Sequence, residues 1–191
     1  MQTKTAVNKA LRTQLRLQAE RQVKPSAGSV DSQSVETASG GEEISFDEGK
    51  KVKGRKRTIL VDTMGLLLAA CVHGAGRSDH RAMELLATFH AQFWTCLQLI
   101  WVDSTFAGKD FIAKIAQQFG WTLERLKRTD NEPGFTVIPK RWVVERTYAW
   151  FGHYRRLSKD YEFLATTGEV MLYAAMVHLM VRRLKPKIQA G

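Results

Sequence analysis

The sequence predicts an α/β fold: a mixed sheet of about five strands with helices on both faces, plus N- and C-terminal helices. Three observations lead there. Residues 57–62 and 66–73 are apolar, β-prone runs separated by Thr63, Met64 and Gly65, and Gly65 can supply the positive φ of a hairpin turn. Residues 96–104 form a near-continuous apolar run ending at Asp103, as expected of a strand buried on both faces. Beyond the hairpin, helix-patterned and strand-patterned segments alternate, which adds parallel strands to an antiparallel start.

In chain order, residues 1 to about 22 read as a basic amphipathic helix. Val7, Leu11, Leu15 and Ala19 recur every fourth position, with Lys9, Arg12, Arg16 and Arg21 between them. Either it packs on the domain with a solvated charged face, or it is an arm that tracks a polyanion, and Pro25 ends it. Residues 1–24 are therefore set apart as a basic helix or arm from a main unit at 25–191. Residues 27–36 suggest a first strand with Asp31 near its middle, where aspartate is disfavoured by propensity. A Gly-rich, charged loop over 37–56 follows, closing on the cations Lys50, Lys51, Lys53, Arg55 and Lys56, a set suited either to phosphate contacts or to a solvated loop.

After the hairpin, Ser78 is placed to cap a helix running to about Phe93. Gly108 opens the next helix and Gly120 stops it. A strand over 121–128 comes next, then a turn-rich link. A helix over 141–162 carries Glu145 in its first half amid basic and aromatic residues, and a last helix spans about 167–184. Asp62, at the hairpin, is expected to accept hydrogen bonds from turn amides. His178 is expected in the core or at its rim.

Composition narrows the partners. Twenty-nine Lys and Arg against nineteen Asp and Glu give a net charge of +10, a field that attracts polyanions, with nucleic acid first among them. The most apolar stretch, 170–181, has only helix-core length, so no membrane partner is expected. The N-terminus lacks an apolar signal-peptide core, which points to the cytoplasm. Cys71 and Cys96 lie in apolar segments without a paired spacing, as buried free thiols do.

Against that basic background, Asp31 in the first strand, Asp103 at the end of the fourth and Glu145 on the later helix form a candidate constellation. Three converging carboxylates repel one another unless a cation resolves the conflict, and oxygen-only donors favour magnesium or manganese. Paired ions of that kind serve phosphodiester displacement. Asp47, Asp79, Asp110, Asp130 and Asp160 read as surface or capping acids.

Four segments in order, VDSQSVET, GKKVKGRKRTILVDTMGLLLAACVH, VDSTFAG and RWVVERTYAWFGHYRRLSKDYE, resemble the DDE transposases of bacterial insertion sequences, in the group whose genes often use two reading frames. The resemblance spans about residues 25–184 and implies an RNase H-like catalytic domain performing magnesium-dependent DNA transposition. Carried over by position, it makes Asp31, Asp103 and Glu145 the catalytic and metal-binding acids for two Mg2+ or Mn2+ ions. Arg141, four residues before Glu145, becomes a phosphate-binding or orienting residue. The implied partners are double-stranded DNA, as terminal repeats of the element and as target, and further copies of the chain in a homo-oligomer on that DNA, which places the protein at the nucleoid. Ile138 and Gly152 stand where the family often has tyrosine and lysine. Arg155, Arg156 or Lys159 are the candidates for the missing basic role, and Trp142, Tyr148, Trp150, Phe151 and Tyr154 divide between core and base stacking. The alternative is a truncated or regulatory DNA-binding fragment without catalysis of its own.

Overall fold

The computed structural model describes residues 2–38, 40–106, 108–126, 140 and 142–184. The expected mixed sheet is present with six strands, one more than the sequence suggested. Strand β1 (Ala27–Glu36) pairs antiparallel with β3 (Val52–Asp62), which pairs antiparallel with β4 (Leu67–Gly74) and with the three-residue β2 (Ser45–Asp47). On its other side β1 takes β5 (Leu99–Val102) in parallel, and β5 takes β6 (Thr122–Arg125) in parallel. Apart from β2, the strands lie in the order β4-β3-β1-β5-β6, antiparallel then parallel, which is the RNase H-like arrangement.

Helices cover both faces. On one, α4 (Trp142–Gly152), α5 (Ala165–Leu184) and Leu15 of α1 (Gln2–Gln18) pack against Ile59 and Val61 of β3. On the other, α2 (Asp79–His90) and α3 (Lys109–Phe119) cover Val30, Leu60, Leu68 and Ile100. Ile59 and Val61 thus face one core and Leu60 the other, the two-residue alternation of a strand buried on both sides.

Local signals behave as their chemistry dictates. Gly65 has φ +79°, and a Cβ there would stand 2.9 Å from Thr147 Oγ1, so the turn needs glycine for conformation and for space. The Ser78 side chain accepts from Arg81 N at the start of α2, which ends at His90 and tightens into a 3₁₀ turn over Ala91–Phe93. Gly108 caps α3, and Gly120 ends it at φ +71°. The helix expected over 141–162 is shorter: α4 stops at Gly152, which lacks a side chain to stabilise a further turn, and a 3₁₀ turn occupies Arg155–Leu157.

The long loop is also shorter than expected, because β3 already begins at Val52. This corrects the reading of its cations. Arg55 and Lys56 lie inside β3, where Arg55 is fully buried and Lys56 nearly so. The Arg55 guanidinium pairs with Asp160 and donates to the carbonyls of Glu42, Glu162 and Phe163. Lys56 pairs with Asp47 and Asp79. Both tie the strand to distant segments, so neither is available to DNA phosphates.

Helix α1 packs along α5. Its charged face is not fully solvated: Arg12 and Arg16 are buried, and Arg16 Nη1 lies 2.6 Å from Oδ2 of the fully buried Asp62. The other oxygen of Asp62 accepts from Met64 N and Leu66 N, as expected of a turn acid. Removing one partner of such a pair strands a charge in the core. The variant Arg16→Met is therefore expected to lose about 3–5 kcal/mol in urea unfolding.

His73 is buried beside Gly74 O and Thr58 Oγ1, and burial lowers its pKa. The unfolded chain protonates this imidazole first, so stability present above pH about 6.5 falls as pH drops toward the lowered folded value. Unfolding measured at pH 7.5, 6.5 and 5.5 should show this slope, and His73→Gln should flatten it.

Candidate functional site

Asp31 sits in the middle of β1, half-buried, with Oδ1 accepting from Ser32 N at 2.8 Å. The parallel register of β1 with β5 runs Ala27 to Leu99, Gly28 to Ile100 and Ser29 to Trp101. Extending that register carries Asp31 level with Asp103, the residue immediately after β5. Asp103 is half-buried, its Oδ1 accepts from the backbone amide and hydroxyl of Ser104, and its carbonyl accepts from Phe106 N, closing a 3₁₀ turn. The adjacency of the first and fourth expected strands is thus realised as β1 beside β5.

Helix α4 lies against β1 and β3, and the residue two before it reaches the β1–β5 edge. Ahead of it, Lys140 adopts φ +76°, its carbonyl accepts from Ser29 Oγ at 2.9 Å, and its ammonium stands 4.7 Å from the Trp101 ring centroid. Ser29 and Trp101 are cross-strand partners two residues before Asp31 and Asp103. Further along, the single hydroxyl proton of Tyr148 is shared between Asp31 O at 2.9 Å and Arg57 O at 2.6 Å. Burial pushes that phenol well above its ordinary pKa, so it stays a neutral donor. Thr147 and Arg146 reach the turn carbonyls of Gly65 and Met64. Glu145 is exposed, one helical turn before Tyr148 and between the two anchors.

The three acids therefore lie on neighbouring elements: Asp31 on β1, Asp103 directly after the adjacent β5, and Glu145 on the helix packed against β1 and β3. Among the described residues no group of three His, Cys, Asp or Glu side chains is close enough to hold a metal ion as it stands. The donor set is oxygen throughout, which suits hard divalent ions.

The basic residues divide. Lys50, Lys51 and Lys53 are exposed, with Lys50 Nζ reaching Ser32 O at 3.0 Å beside Asp31. Arg155 is exposed, whereas the exposed Arg156 is engaged by both carboxylate oxygens of Glu162. Lys159 pairs with Glu36. Arg141 and Ile138 lie outside the described residues.

Of the aromatics, Tyr148 and Phe151 are core and Trp142 is 40% exposed. Trp142, Arg146 and Trp150 recur every fourth residue and stack, the Arg146 guanidinium 4.1 Å and 4.6 Å from the two ring centroids. Arg183 of α5 continues the stack at 4.0 Å from Trp150. The helical spacing of Trp142, Arg146 and Trp150 was visible in the sequence; the contribution of Arg183 depends on tertiary packing. His178, expected in the core or at its rim, is exposed, its Nδ1 2.8 Å from the Tyr154 hydroxyl.

A family model for the transposase DDE domain matches residues 22–180. The chain belongs to this family. No curated protein matches its sequence. Among solved structures, it is similar to the catalytic core domain of BIV integrase, with 17% identity and TM-score 0.48 over 85% of this chain and 87% of that one. It is similar also to the catalytic domain of Mos1 mariner transposase, with 10% identity and TM-score 0.45 over 96% and 91%. A Mos1 paired-end complex with Mn gives 11% identity and TM-score 0.40, over 96% of this chain and 61% of that one.

The Tyr148 hydroxyl ties α4 of this DDE domain to two strands. Tyr148→Phe leaves two buried carbonyls without that donor and is expected to cost about 1–3 kcal/mol in chemical denaturation. By contrast, Lys51→Gln and Lys53→Gln should leave the melting temperature unchanged, whereas Arg55→Met should lower stability by about 3–5 kcal/mol.

Proposed function

We propose that this DDE domain is a DNA transposase that cuts the ends of its element and joins the freed 3′-hydroxyls to target DNA. The observation that carries this reading is the common level that the β1–β5 register gives Asp31 and Asp103, with Glu145 on a helix anchored to β1 and β3. Asp31, Asp103 and Glu145 would hold two divalent ions, Mg2+ or Mn2+. Such ions, when bound, activate an attacking oxygen and stabilise the leaving one in phosphodiester displacement. The glutamate is exposed on α4, and a change of its side-chain rotamer would carry its carboxylate toward the aspartates.

The remaining residues have binding roles. Lys50, Lys51, Lys53 and Arg155 offer exposed charge to backbone phosphates, which positions the duplex without reading its sequence. Arg141 fits the same role through its place four residues before Glu145. The exposed ring of Trp142, backed by Arg146, supplies a stacking surface for an unpaired base. Cleavage at two ends followed by joint insertion calls for at least two copies of the chain on the DNA, at the nucleoid. No helix among the described residues is long and apolar enough to cross a membrane.

The test is cleavage of labelled element-end duplex with Mg2+ or Mn2+. Asp103→Ala and Glu145→Gln should each slow cutting on the order of 10²–10³-fold or more while leaving DNA affinity largely intact. Metal-dependent cleavage of unchanged rate in Asp103→Ala would refute the assignment. Binding without cleavage by the wild type would instead identify a DNA-binding fragment. In salt titrations, Lys51→Gln and Lys53→Gln should each reduce the slope of log affinity against log salt by about 1.

A further inference from the structure

A cavity of about 570 Å³ lies between α1 and the end of the sheet where β1 and β5 begin. Pro25 and Cys96, just ahead of those strands, line it, as do Leu68 and Trp94. Asp103 follows the other end of β5, so the cavity is separate from the DDE acids. Among the described residues no Asp or Glu lines it, while Arg12 stands in its wall and Lys9 and Lys24 also line it.

Arg12 is the unusual member. It is only 4% exposed, and a buried guanidinium normally has an anion beside it. Here its Nη1 donates to Asn8 Oδ1 and Leu67 O, both uncharged, and it forms no ion pair among the described residues. The nearby Asp62 is committed, one oxygen to Arg16 and the other to two turn amides. The Trp94 ring, 4.7 Å from the guanidinium carbon, covers Arg12 without neutralising it. Burial correspondingly lowers the Arg12 pKa to about 10. Two further donors in the wall, Asn8 Nδ2 and Trp94 Nε1, are buried without a hydrogen-bond partner. Because Asn8 Oδ1 is held by Arg12, its amide nitrogen is left to seek an acceptor. An unpaired buried cation, two idle donors and apolar walls together describe the complement of one ligand type.

We propose that this cavity binds a small organic anion with an apolar body, its carboxylate or phosphate at Arg12 and its aromatic or aliphatic part against Leu68, Pro25 and Phe93. Its volume is within the range of small-molecule sites. The inference is independent of the transposition reading.

The full-length chain is titrated calorimetrically with 4-phenylbutyrate and phenyl phosphate, and with the neutral 4-phenylbutan-1-ol and inorganic phosphate as controls. Both organic anions are expected to bind at one site per chain, with each control about tenfold weaker or more. They should also slow alkylation of Cys96 by iodoacetamide; Cys71, whose thiol burial pushes to about 12, reacts slowly in any case. In Arg12→Met the preference for acid over alcohol should vanish. Should that variant not fold, the acid–alcohol comparison on the wild type decides alone. Equal binding of acid and alcohol, or binding of neither, overturns the proposal. Displacement of bound 4-phenylbutyrate by a short DNA duplex overturns it too, by assigning the cavity to the DNA surface.

Discussion

One buried hydroxyl proton sets the geometry on which the rest of this molecule depends. Tyr148 donates it between a carbonyl of β1 and a carbonyl of β3, so the height and rotation of α4 are referred to two strands at once. The neighbouring Thr147 and Arg146 repeat the arrangement at the β3–β4 turn, and Lys140 repeats it at the β1–β5 edge. A helix held only by apolar contact can slide by part of a turn at little cost. One that must also satisfy buried carbonyls cannot, because each unmet polar group is penalised. Glu145 inherits its location from these three attachments without taking part in them.

The same economy governs the positive charge. A net +10 suggests a strongly basic exterior, yet Arg12, Arg16, Arg55, Lys56 and Arg57 are all buried. Arg57 donates to the carbonyls of Leu157 and Lys159, and Arg55 to three other carbonyls, so both act as cross-links between β3 and the segment after α4. Removing the guanidinium of Arg55 would strand Asp160, whose second oxygen already lacks a partner. The field that draws in a polyanion therefore comes from fewer residues than the composition implies, Lys50, Lys51 and Lys53 among them.

What could be read from the sequence was local. Gly65, Ser78 and Gly120 each satisfy a backbone requirement within a few residues, and each appears where its chemistry places it. Asp31 and Asp103 are singled out in the sequence by the resemblance to the DDE transposases, and Asp31 also because aspartate is disfavoured inside a strand. Residues whose partners lie far along the chain were not legible. A run such as Lys50 to Arg57 looks the same whether it is a solvated loop or a strand whose cations find Asp160 and Glu162 a hundred positions later. The three-residue β2 was hidden for a related reason: only its pairing to β3, not its own composition, makes it a strand. Within the site, the roles of Lys140 and Arg183 rest on a positive φ and on a neighbouring helix, neither of which leaves a pattern in the residues.

The parallel pairing of β1 with β5 has a kinetic meaning. Antiparallel β1, β3 and β4 can zip together from nearby turns, but β5 must wait for the intervening helix to be made and packed, and α4 arrives later still. During synthesis Asp31 emerges long before the strand that brings Asp103 level with it. A nascent or broken chain can hold the hairpin without assembling the acids. The order of the strands thus makes the meeting of Asp31, Asp103 and Glu145 a late product of folding, since it needs β5 and α4 as well as the hairpin.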